Sequence, residues 1–228
     1  MPPASTLVHT EVLSRRYKRG SEIIDAVVDV TLDIERGGFA VIMGPSGCGK
    51  STLLNLIGGI ERPTSGRVSV DGLALEHASE AELTGFRRSH VGFIFQFYNL
   101  LPFITAEENV ALPLQANGTS RAVALRLARE RLDQVGLSLR RTHKPAELSG
   151  GEQKRVAIAC AIIAQPPLIL ADEPTGDLDA TGTQAVISML RNLAGRAGHT
   201  VVMATHNERV VLPGDQLICM VNGRLELT

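Results

Sequence analysis

A chain of 228 residues with 44 % apolar and 21 % charged residues is long enough for one large domain, or for two small lobes sharing a core. Its 23 Lys and Arg against 24 Asp and Glu leave a net charge of -1, which excludes a global electrostatic footprint for nucleic acid, and a small basic cluster at Arg140, Arg141 and Lys144 reads as solvated surface. The three cysteines, Cys48, Cys160 and Cys219, form neither a metal-ligand spacing nor a disulfide framework and fit a reducing cytoplasm.

The chain opens on Met-Pro-Pro-Ala-Ser-Thr, with no basic stretch leading into an apolar core, so no signal peptide is expected. Strands are expected over residues 7–13, 27–34 and 39–43, rich in Val, Ile and Leu and separated by Arg-Gly and Gly-Gly breaks. A helix follows from Gly49 to about Gly58, then a strand over 67–70 that ends at the Asp71-Gly72 turn. Ser79 with Glu82 three positions on predicts a capped helix to Arg88. A strand over 91–95 leads to an apolar loop at 97–102 (Phe-Tyr-Asn-Leu-Leu-Pro). Helices are expected over 106–116 and 120–135, the second amphipathic at Val123, Leu127, Leu132 and Val135, and a third from Ser149 to about Ala164. The longest apolar stretch, residues 156–164, is far short of the ~20 residues that cross a bilayer, so any work at a membrane needs another chain to span it. The last third alternates: strand 168–171, helix 180–194, strand 200–204, a short helix near 207–212, and strands 216–221 and 224–227. Such alternation predicts a mostly parallel sheet covered by helices, with the helical middle inserted between two halves of one α/β domain.

Gly44-Pro45-Ser46-Gly47-Cys48-Gly49-Lys50-Ser51 fits G-x-x-x-x-G-K-[ST] at every fixed position, with an apolar strand before it and a helix after it. Glycines let successive backbone N–H groups face phosphate oxygens, and the new helix adds its positive end. Lys50 places a charge on the β- and γ-phosphates, and Ser51 offers a hydroxyl to Mg²⁺. The second element is Leu168-Ile169-Leu170-Ala171-Asp172-Glu173, a buried strand ending in two carboxylates. Alternation along a strand sends neighbours to opposite faces, so Asp172 is assigned to the metal and Glu173 to polarising the attacking water as general base.

A third motif carries a family resemblance. Leu148-Ser149-Gly150-Gly151-Glu152-Gln153, followed by Lys154-Arg155-Val156-Ala157-Ile158-Ala159, resembles the signature sequence of the ATP-binding subunits of ABC transporters, and the resemblance extends over nearly the whole chain. It implies an α/β fold: a P-loop NTPase core with a mostly parallel sheet, an antiparallel β subdomain, and a helical subdomain over about 97–165, all in one ATPase domain spanning 1–228. It also implies an ATPase that binds ATP and Mg²⁺, forms an ATP-bound homodimer, takes no nucleic acid, and serves an integral membrane permease at the cytoplasmic face of the inner membrane. Ser149, Gly150, Gly151 and Glu152 would then meet the γ-phosphate of ATP held by the opposite subunit. Gln96 resembles the glutamine that touches Mg²⁺ and the attacking water, Asp179 an aspartate at the dimer interface, and His206 a switch histidine on the γ-phosphate. Tyr17 is placed like the aromatic residue that stacks on adenine, so that ATP lies between Tyr17 and a loop running from Gly44 to Thr52.

Two departures stand out: Cys160 where the family often has arginine, and Asn207 where it often has aspartate. Cys48 lies inside the phosphate loop, where Lys50 and the helix end would favour a thiolate, so alkylation there is expected to block ATP. Residues 43–47, 55–59, 95–96 with 99–102, and 171–176 resemble the macrolide-export and lipoprotein-release group of these ATPases. A cell-division ATPase of the same branch and a soluble non-transport ATPase remain the alternatives.

Overall fold

The computed structural model describes residues 5–195 and 198–226, so the start of the expected leaderless N-terminus and the last residue of the strand expected at 224–227 lie outside the described residues.

The chain begins with a hairpin of two 14-residue strands, β1 (Thr6–Arg19) and β2 (Glu22–Glu35). Both outrun the expected strands. Residues 14–19, Ser-Arg-Arg-Tyr-Lys-Arg, carry no apolar alternation, and cross-strand partners fix them instead: Arg16 donates to Asp25 at 2.6 Å, and Tyr17 faces Ile24. After β3 (Phe39–Met43) and α1 (Lys50–Ile57), β4 (Ser65–Val70) pairs with β1, and β5 (Leu73–Ala74) completes a four-stranded antiparallel sheet of order β2-β1-β4-β5. The box at Ser79 forms as the sequence indicates and starts α2 (Glu80–His90): the Glu82 N–H donates to Ser79 Oγ at 3.3 Å, and the Ser79 N–H donates back to Glu82 Oε2 at 2.8 Å.

The remaining strands, β6 (Val91–Ile94), β7 (Leu168–Asp172), β8 (Thr200–Thr205), β9 (Gln216–Val221) and β10 (Arg224–Leu225), form with β3 a six-stranded sheet of order β10-β9-β3-β8-β7-β6. All its pairings are parallel except that of β10 with β9. Between β6 and β7 lie α3 (Ala106–Ala116), α4 (Arg121–Gln134) and α5 (Gly150–Ile162); α6 (Ala180–Gly195) joins β7 to β8. The short helix expected near 207–212 is a single 3-10 turn, Glu208–Val210, capped by Asn207, whose Oδ1 accepts the Arg209 N–H at 3.1 Å.

Side-chain alternation along β7 divides the core. Leu168 and Leu170 face α1 and the antiparallel sheet, whereas Ile169 and Ala171 face α5 and α6. A third apolar cluster holds α3, α4 and α5 together. In α4 the buried stripe is Ala124, Ala128 and Leu132; Val123, expected inside, is exposed, because small residues one position later allow closer packing on α3.

Candidate active site

β3 ends at Met43, and the chain turns through residues 44–49 into α1. Two glycines are required there by close backbone approach. A Cβ on Gly44 would sit 2.1 Å from the Met220 carbonyl oxygen; one on Gly49, at φ +106°, would sit 2.0 Å from that of Ala26. The loop is thus pressed between β9 and β2. α1 has no side-chain cap and no acidic residue in its first turn, so its leading N–H groups remain free to receive an anion. Lys50 is buried, and its ammonium donates to the carbonyls of Gly44 at 2.8 Å and Pro45 at 3.0 Å. It also lies 3.7 Å from Glu173 Oε1.

β7 places Asp172 at its last position, and Glu173 lies beyond it at φ +42°. Strand alternation therefore does not separate the two carboxylates, contrary to the sequence reasoning. A left-handed residue does so, at a cost on the order of 1 kcal/mol. The Glu173 N–H donates to the Ala204 carbonyl at 2.9 Å, which anchors the turn to the end of β8. His206 emerges just past β8, and its Nδ1 lies 3.0 Å from Glu173 Oε1. The Glu173 carboxylate is thus held between a buried ammonium and a largely exposed imidazole.

Asp172 Oδ1 is buried without a hydrogen-bond partner. Burial pushes its carboxyl above the ordinary carboxylate range, and Glu173 adds to this; the Ser51 hydroxyl, Lys50 and Lys154 pull it back. An orphaned carboxylate oxygen beside a serine hydroxyl suits an oxygen-seeking cation. No group of three His, Cys, Asp or Glu capable of holding a metal occurs among the described residues, so hydroxyl, amide, phosphate or water oxygens would complete such a shell, as Mg²⁺ prefers.

A cleft of about 590 Å³ opens over these groups, lined by residues 46–52, Gln96, Glu173 and His206 from the expected set. Ile24, Asp25, Asp177 and Asn222 also line it, none of them foreseen. Asp177 lies in the Gly176-Asp177-Leu178-Asp179 segment, two residues before the expected Asp179. The structure puts Asp179 outside the lining and uses it to start α6, its Oδ1 accepting the Gly182 N–H at 2.7 Å. Tyr17 also lies outside the lining: its hydroxyl donates to Glu61 Oε2 at 2.5 Å and its ring lies under the Arg15 guanidinium at 4.7 Å, while its neighbour across the hairpin, Ile24, faces the cleft.

Cys48 contributes to the cleft wall, but its side chain is buried in the core cluster, and Sγ lies 2.7 Å from where a Cβ on Gly44 would sit. Cys48 is therefore a buried side chain of the loop before α1, where the sequence reading expected a thiol open to alkylation. Arg140 and Arg141 are ion-paired with Glu152 and Asp133, which leaves no basic patch of three.

Ser149, Gly150, Gly151 and Glu152 do not line the cleft. They form the N-terminus of α5 at a separate place, closed by another capping box: the Glu152 N–H donates to Ser149 Oγ at 3.3 Å, and the Ser149 N–H donates to Glu152 Oε2 at 2.8 Å. That N–H bond, joined by the Arg140 guanidinium at 2.9 Å, holds the Glu152 carboxyl at about 2.

The sequence profile described as ABC transporter matches residues 27–176. The chain belongs to the ABC transporter family. It is 43 % identical over 221 residues to the lipoprotein-releasing system ATP-binding protein LolD of Geobacter metallireducens, covering 97 % of this chain and 98 % of that one. It is 42 % identical over 219 residues to an uncharacterised ABC transporter ATP-binding protein of Mycobacterium tuberculosis, covering 96 % of this chain and 88 % of its relative. The fold superposes with TM-score 0.91 on a Methanocaldococcus jannaschii ATP-binding cassette solved as a dimer in a post-hydrolysis state with ADP and Pi, at 42 % identity over 97 % of both chains. This ABC chain is the ATP-binding, ATP-hydrolysing subunit of a transporter, with an α/β cassette fold.

Proposed function

We propose that two copies of this chain close head to tail on two ATP molecules, and that closing and reopening drive a separate integral membrane permease at the cytoplasmic face of the plasma membrane. The observation that carries this reading is the separation of two phosphate-receptive helix ends within one chain. The α1 end opens into the cleft, whereas the α5 end at Ser149 lies outside it. A two-fold pair of chains supplies both ends to each γ-phosphate.

Within the site, Lys50 exchanges its carbonyl acceptors for β- and γ-phosphate oxygens. Glu173 takes the proton of the attacking water, while His206, hydrogen-bonded to Glu173, orients the water and contacts the γ-phosphate. Ser51, Asp172 and Gln96 would hold Mg²⁺, which when bound offsets charge on the β- and γ-phosphates. Ile24 supplies an apolar wall for the adenine in place of Tyr17, which sits across the hairpin from it outside the cleft; Gly44 to Thr52 cradle the phosphates, and Asp179 meets the partner copy. The α5 backbone at Ser149, Gly150 and Gly151 receives the partner's γ-phosphate, with Glu152 fixing that helix end. The whole chain acts as one ATPase domain, its helical insertion carrying α3 to α5.

The permease contact is assigned to an apolar groove of about 500 Å³ lined by Phe93, Phe95, Tyr98, Leu100, Leu101 and Leu112, with Phe97 and Phe103 exposed beside it. Buried Asn109 holds this loop, its Oδ1 accepting the Leu101 N–H at 2.7 Å and its Nδ2 donating to the Leu101 carbonyl at 3.1 Å. No helix among the described residues is long and apolar enough to cross a membrane, so the spanning falls to the partner. The likeness to lipoprotein-releasing ATPases favours a permease of that group.

Two variants test the assignments. Glu173→Gln is expected to bind ATP normally and to lower steady-state phosphate release at least ~100-fold; turnover near wild type would remove Glu173 as the base. Lys50→Ala is expected to lose most ATP binding by calorimetry, and undiminished affinity would contradict the phosphate assignment.

A further inference from the structure

Among the described residues, the largest fully buried side chain is a cation. Lys154, one turn into α5, is 1 % exposed, and its ammonium donates to two backbone carbonyls of the segment after β6: Phe95 at 3.2 Å and Gln96 at 3.0 Å. The same ammonium lies 5.0 Å from the centroid of the Tyr98 ring. Tyr98 reaches on toward the start of α5, its Oη 2.8 Å from the point a Cβ on Gly150 would occupy. Residues 95 and 96 are therefore fastened to α5 by Lys154, and the Tyr98 hydroxyl lies close against Gly150 at the start of the same helix. A buried ammonium is costly to desolvate, and burial lowers the Lys154 pKa; the charges of Asp177 and Asp172 oppose that. An apolar residue would fill the same space without that penalty, so simple packing does not account for a lysine.

Gln96, whose carbonyl Lys154 grips, lines this chain's own cleft, while the N-terminus of α5 lies outside it. We propose that Lys154 is a positioning residue that ties the α5 N-terminus to Gln96, so that ATP engaged on the helix end by one copy sets the glutamine in the other nucleotide's site. This rests on the head-to-tail dimer proposed above. Through this link the two ATP sites of the dimer act cooperatively: occupancy of one, felt at Ser149, is passed through Lys154 to Gln96.

The test is ATP-dependent phosphate release by full-length Lys154→Met, with ATP affinity measured separately at low protein concentration. Wild type is expected to give a sigmoidal dependence on ATP. Lys154→Met is expected to give a near-hyperbolic one with kcat about tenfold lower and ATP affinity unchanged, given what a charge-assisted hydrogen bond is worth. Tyr98→Leu leaves both carbonyls their donor and is expected to shift the curve in the same direction by less; it carries the test if Lys154→Met does not fold. Lys154→Gln keeps an N–H donor and is expected to restore part of the cooperativity, which a purely space-filling role would not require. Unchanged cooperativity and kcat in a folded Lys154→Met and in Tyr98→Leu overturn the link. A Glu173→Gln parent, run alongside, separates the two failures: if it stays monomeric with ATP, the dimer reading falls and the link with it; if it dimerises while Lys154→Met behaves as wild type, only the link falls.

Discussion

The thiol of Cys48 lies beneath the phosphate loop among core side chains. It is expected to react slowly with iodoacetamide in the native protein and quickly once unfolded. Cys48→Ala is expected to keep its ATPase activity while costing about 1 kcal/mol in denaturant unfolding. Rapid labelling at Cys48 that abolishes ATP binding would show that the thiol faces the nucleotide. The sequence showed which residue types gather at the cleft wherever a contiguous motif carried them, as with Lys50, Glu173 and His206. It misjudged direction wherever the backbone sets it. The left-handed turn at Glu173 and the inward turn of Cys48 leave no mark in residue spacing. Asp177 and Lys154 were hidden for another reason: their roles depend on partners far away in the chain, as in the Lys154 contacts with Phe95 and Gln96.

Among the elements, α5 shows how a helix terminus is closed. Ser149 and Glu152 close its first turn reciprocally, with the same S-x-x-E spacing that marked α2 in the sequence. Because the Glu152 carboxyl sits at about 2, below its ordinary value of 4.5, its ionised form is favoured by folding. That contribution is fully present above pH 4.5 and is lost as pH falls from there through about 2. The stability difference between wild type and Glu152→Gln is therefore expected to shrink over that interval in acid unfolding titrations; a difference that stays constant would show that the carboxylate is not held by the cap. The long β1–β2 hairpin was legible only in its apolar halves, because the outer half is fixed by cross-strand partners such as Arg16 and Asp25. The first half of the α4 stripe was misplaced by one position, at Val123 and Leu127, while Leu132 and Val135 are buried as expected; alanines can form a contact face that hydrophobicity alone does not mark.

At the scale of the whole molecule, two sheets share one core around α1, and the helical lobe grows from between β6 and β7. This layout sets the cleft at the C-terminal ends of β3, β7 and β8 and leaves the end of α5 elsewhere on the same chain. The alternation of strands and helices announced the parallel sheet, and the family resemblance the antiparallel subdomain, but sheet order depends on long-range pairing that one sequence does not display. A cassette that cannot complete its own site is the claim from which the transport cycle follows. Light scattering on Glu173→Gln tests it most directly. With saturating Mg-ATP the mass is expected to double from 24.4 kDa, and Ser149→Arg in the same background is expected to return it to that of one chain. A single-chain mass for Glu173→Gln at saturating nucleotide, or a dimer indifferent to Ser149→Arg, would contradict the account.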